Sequence, residues 1–98
     1  MKTIFAAVAV SLMMSPAVAA TAEDNCATVG GFATTAMSAR QNGVPLSTVL
    51  EITSGSPLAR TIVLEAYSGP KFNSEKNKTD SITEFGNMIM LTCLKEMT

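Results

Sequence analysis

The apolar residues of this chain fall into four groups with helical spacing, separated by short polar or glycine-containing breaks. In the first group, Cys26, Val29, Phe32, Ala33, Ala36 and Met37 share one arc of a helical wheel. Asp24-Asn25 offers a cap at its start, and Asn42-Gly43 stops it. Gly30 and Gly31 each weaken such a helix by about 1 kcal/mol relative to alanine, so they serve either the close approach of a neighbour or a bend. A shorter group, Leu46, Val49 and Leu50, follows Pro45. Ser47 or Thr48 is its expected cap, and Thr48-x-x-Glu51 fits a capping box. Thr53-Ser54-Gly55 ends it. Ser56-Pro57 then opens a third helix, with serine as cap and proline at the first helical position. Leu58, Ala59, Ile62, Val63, Ala66 and Tyr67 form its broad apolar face, and Gly69-Pro70 closes it. The stretch Lys71–Thr79 is polar, and a fourth helix starts at Ser74-Glu75 or nearer Asp80. Along it Ile82, Phe85, Gly86, Ile89 and Cys93 occupy one narrow arc. No segment alternates with period two. The expected fold is therefore all-α, a small four-helix domain with one helix short.

The first 20 residues have a different character. One cation (Lys2) precedes the apolar run Ile4–Met14, then a proline and Ala17-Val18-Ala19-Ala20. This basic, apolar, small-residue order is that of a secretory signal peptide, with cleavage possible before Ala20, Thr21 or Glu23. The apolar run is 11 residues, against the roughly 20 that span a bilayer as helix. Glu23-Asp24-Asn25 in front of Cys26 does not make a lipid-attachment site. The expected organisation is a signal peptide over 1–20 and one helical domain over 21–98, periplasmic or secreted, with no transmembrane span after cleavage. Outside a reducing cytoplasm, two thiols join. A Cys26–Cys93 disulfide would make helices 1 and 4 antiparallel neighbours, and the chain-entropy model gives such a loop roughly 4 kcal/mol. There is no Cys-x-x-Cys pair, which favours a structural bond over a redox centre.

Removal of residues 1–20 leaves 78 residues, in which six bases face eight acids for a net charge of −2. No basic stripe runs along the chain, so no nucleic-acid partner is expected. A domain this small is marginal without a staple. Histidine is absent, which removes the usual general base and the commonest metal ligand. With both cysteines in a disulfide, neither a thiolate nucleophile nor a zinc site remains. A Gly-x-Ser-x-Gly elbow is missing after residue 20. Glu75, Asp80 and Glu84 read as the solvated acidic beginning of a helix. The expectation is a protein that is not an enzyme and takes no cofactor or metal.

Several short motifs stand out: Ala39-Arg40-Gln41-Asn42-Gly43-Val44 after the first cysteine helix, then Leu46-Ser47, then Ala66-Tyr67-Ser68-Gly69-Pro70, and Phe85-Gly86-Asn87 in a helix ending at Cys93. With these, the span from Cys26 to Cys93 resembles a group of short, secreted, mostly uncharacterised helical proteins from proteobacteria and their phages. Members of that group often carry a charged residue where Asn42 stands and a larger one where Gly86 stands. The resemblance implies the two-cysteine helical fold and a phage or prophage connection. It brings no catalytic residues.

Two features resist a purely structural account. Arg40 lies in the middle of the apolar arc of helix 1, in line with Val29, Ala33 and Ala36. Either its stem packs on the core while the guanidinium reaches C-terminal carbonyls, or Arg40 and Gln41 form a polar rim beside Tyr67 suited to a carboxylate or peptide. Met88, Leu91 and Leu94 point away from the Ile82–Cys93 stripe. They are either wrapped by neighbours or form a contact patch, with Tyr67 and Phe72 flanking the Gly69-Pro70 turn. Candidate binding residues are thus Arg40, Gln41, Tyr67, Phe72, Met88 and Leu91. The expected function is a non-enzymatic envelope interaction protein that modulates an envelope or phage partner. The alternatives are a small periplasmic stress chaperone and a small enzyme whose pocket the sequence does not advertise. The sequence leaves the oligomeric state open.

Overall fold

A computed structural model describes residues 23–97, so the expected signal peptide lies outside the described residues. The chain is all-α: α1 covers residues 23–41, α2 Leu46–Ile52, α3 Pro57–Ser68 and α4 Glu75–Met97. Together they make a four-helix domain in which the Cys26–Cys93 disulfide ties α1 to α4, with the two Cα atoms 5.5 Å apart. The core is built where the predicted faces meet: Ala33, Ala36 and Met37 from α1, Val49 from α2, Ile62, Val63 and Ala66 from α3, and Phe85 from α4. Small residues dominate the α1 contribution, which lets the other helices pack close to its axis.

Helix boundaries follow local chemistry, with two departures from expectation. Asp24 and Asn25 lie inside α1 rather than capping it, since the helix already includes residue 23. Helix α2 begins without a side-chain cap. Pro45, at φ −60° and ψ 142°, is itself the N-cap and accepts the amides of Thr48 and Val49. The fixed proline angle sets the entry of the chain, which leaves Ser47 and Thr48 already helical and the Thr48–Glu51 capping box unformed. Helix α3 starts as expected: Ser56 Oγ accepts the Ala59 amide at 3.1 Å, with Pro57 next. For α4 the earlier of the two expected starts is the real one, Ser74 Oγ accepting the Asn77 amide at 3.1 Å.

Gly43 carries the C-terminal end of α1. Its φ of 81° is left-handed, and it allows the Val44 amide to reach Ala39 O and its own amide to reach Arg40 O. That pair of bonds is a Schellman ending, which only a glycine-like backbone accepts without cost. Gly69 ends α3 differently, at φ −86° and ψ 171°. The stop there comes from Pro70, which drives its predecessor into extended conformation.

Gly30 answers the question of approach or bend. A Cβ at Gly30 would lie 3.1 Å from Met90 Cβ and 3.2 Å from Gly86 O, and a Cβ at Gly86 would run into Thr34 Cγ2. The two glycines face each other across the contact between α1 and α4. Gly31 has open space beside it. The order of contacts, Cys26 with Cys93, Gly30 with Met90 and Gly86, Thr34 with Gly86, makes the two helices antiparallel. At the disulfide, Cys26 is fully buried while Cys93 is partly exposed, and Met97 Sδ sits 3.4 Å from Cys26 Sγ and 4.0 Å from Cys93 Sγ.

Candidate functional site

Arg40, Gln41 and Tyr67 converge at the end of α1, and they converge on backbone. The Arg40 guanidinium donates from Nε and Nη2 to the Gly69 carbonyl, at 3.3 and 3.1 Å, and lies 5.6 Å over the Tyr67 ring. Tyr67 Oη donates to the Val44 carbonyl at 2.6 Å. Gln41 is 0 % exposed. Its Nε2 donates to Pro70 O at 3.0 Å and its Oε1 accepts the Phe72 amide at 2.8 Å. Nε2 also lies 3.4 Å from Met37 Sδ.

The arrangement ties the end of α1 to the loop that follows α3. Arg40 does reach a helix-terminal carbonyl, though that of α3 rather than α1. Gln41 belongs to the interior instead of a rim, because both ends of its amide are already bonded to the chain. Burial raises the Tyr67 pKa above its ordinary value, with the neighbouring Arg40 charge pulling the other way. The phenol therefore stays a neutral donor. Among the described residues no buried side-chain nitrogen or oxygen lacks a partner, so this region offers a ligand no vacant buried group.

Phe72 and Met88 have a different setting. They line an open groove of about 550 Å³ between α4 and the loop after α3, with Met37 and Phe85 also contributing to its apolar lining. Asp80 and Glu84, two turns and one turn before Met88 on α4, form its charged edge. Asp80 pairs with Lys76 at 2.7 Å. Glu84 has no ion pair among the described residues. The polar contacts of the loop, held by Gln41, are what fix Phe72 opposite α4. Met88 is 47 % exposed and Leu91, a turn further along α4, is 53 % exposed. Leu94 is half-buried. Of the six candidates, then, Phe72 and Met88 share the groove, Leu91 is exposed one turn beyond it on α4, Arg40 and Gln41 brace the loop behind it, and Tyr67 lies under Arg40 and bonds Val44.

Sequence reasoning missed Asp80 and Glu84 as part of a site. The signal was present in the spacing, since residues 80, 84 and 88 are successive i,i+4 positions and share one helix face. A second, smaller cleft of about 300 Å³ lies between α3 and α4 and is lined by Val29, Leu58, Ile62, Ile89 and Met97 beside Cys93. No group of three or more histidine, cysteine or acidic side chains among the described residues is placed to hold a metal ion. No described helix is long and apolar enough to cross a membrane. Compared with protein-family models, curated proteins and solved structures, the chain matches none.

Proposed function

We propose that this chain is a non-enzymatic interaction protein of the bacterial cell envelope, exported with loss of residues 1–20, which binds and modulates another envelope component. Lysis, surface and secretion factors are the kinds of component meant. The phage or prophage connection rests on the Arg40-Gln41 and Ala66-Tyr67 motifs and their resemblance to secreted phage-associated proteins. What supports the reading is the groove. A protein of this size puts a methionine and a leucine half in water on α4, next to a phenylalanine held in place by a buried glutamine. Methionine and aromatic side chains are enriched where proteins meet. Rigid support behind an exposed apolar patch lowers the ordering cost of binding.

Crosslinking of tagged protein in the periplasm of the producing cell, followed by mass spectrometry, tests this. The expected result is one stoichiometric envelope or phage protein, lost with Leu91→Glu or Met88→Glu while the fold is kept. Recovery of many unfolded clients, with protection of a client at about pH 3, replaces the reading with a chaperone. A lone monomer under normal growth, acid and lysis conditions overturns it.

A further inference from the structure

Resting on that interaction reading, we infer that the groove along α4 takes a basic amphipathic helix of the partner, about three to four turns long. The length comes from α4 itself. Asn77 to Met88 lines the groove and Leu91 is exposed one turn further on the same face of α4, a distance of roughly 17–21 Å at 1.5 Å per residue. A helix laid in such a groove presents anchors at i, i+3 or i+4, and i+7.

The chemistry comes from how charge is distributed around the apolar lining. The floor of Met37, Phe72 and Phe85 accepts aliphatic or aromatic anchors. Its ionised edge is acidic: Asp80 carries only an exposed i,i+4 pair with Lys76, and Glu84 has no cation beside it among the described residues. A lysine or arginine flanking the partner's anchors meets Glu84 directly, and exchange of the Lys76 pair at Asp80 costs little because exposed pairs of this kind are weak. An acidic partner with the same anchors would set like charges together. The stripe also has a direction. Asp80 and Glu84 precede Met88 and Leu91, so the partner's basic positions belong at the Asn77 end and its most apolar turn at the Leu91 end.

The test uses the full exported chain with its disulfide intact and two labelled 14-residue helical peptides. Both have leucines on one face; lysine fills the flanks in one and glutamate in the other. Fluorescence anisotropy should show the leucine-lysine peptide binding, with affinity falling about tenfold for Glu84→Lys and lost for Met88→Glu. Glu65→Lys, an identical change of net charge on α3, should leave binding within about twofold. Equal binding of the leucine-glutamate peptide overturns the inference. So does an equal loss for Glu84→Lys and Glu65→Lys, which would make the attraction one of net charge alone. Concentration-dependent self-association abolished by Met88→Glu would assign the groove to a second copy instead. If the periplasmic partner is captured and lost with Leu91→Glu while neither peptide binds, the interaction reading stands and the basic-helix assignment falls.

Discussion

Gln41 uses both ends of its amide inside the protein, and that makes it the side chain whose chemistry is hardest to replace. Gln41→Leu keeps much of the volume but leaves the Phe72 amide and the Pro70 carbonyl without their partners. The expected loss is about 1–3 kcal/mol, seen as a lower urea midpoint with an unchanged slope. Arg40→Ala should lower the melting temperature through the loss of two bonds to Gly69 O and the stacked Tyr67 ring, and leave partner binding intact once the chain is folded. Tyr67 gives a pH signature. Its pKa is raised in the folded state, so its contribution to stability is fully present below the ordinary tyrosine value of about 10 and is lost as pH climbs through the folded value. Tyr67→Phe should flatten that alkaline decline in thermal melts. Arg40 was legible in the sequence as a charge in an apolar arc. The destination of Gln41 was not, because a helical wheel assigns a residue to a face and says nothing of a backbone carbonyl 29 residues away.

Among the elements, the contact between α1 and α4 turns on Gly30 and Gly86, and Gly31 lies outside it. Gly86→Ala places a methyl group against Thr34 Cγ2 and near Gly30 O, and should destabilise by about 1–3 kcal/mol as the helices are pushed apart. Gly31→Ala meets open space and should stabilise by about 0.5–1 kcal/mol, since it removes backbone freedom only from the unfolded chain. Chemical denaturation of the two variants side by side reads the difference in sign. All four helices were legible because each carries a three-to-four residue apolar period, and the first three are each followed by a breaker. What periodicity did not carry was the choice between Gly30 and Gly31, which depends on the phase of α4 against α1. Nor did it carry the entry to α2, where Pro45 took over the role given to Ser47 and Thr48.

For the whole molecule, the disulfide sets how much stability the packed helices must supply alone. Replacement of both cysteines by serine should lower stability by about 2–5 kcal/mol, measured by reversible denaturation. That is a large share of what a domain of this size has. The pairing was legible from two thiols, the signal-like order of residues 1–20 and the faces of two helices. The groove was not, because its walls come from α1, the loop after α3 and α4, and only the fold brings Met37, Phe72 and Met88 together. The unequal burial of the two half-cystines has one more consequence. A thiolate arriving from solvent finds Cys26 enclosed and Cys93 at the edge of the smaller cleft, so exchange has a preferred entrance and exit: the mixed disulfide forms on Cys93, and Cys26 leaves as the buried thiolate, held beside Met97 and facing the sulfur it must attack to close the ring again.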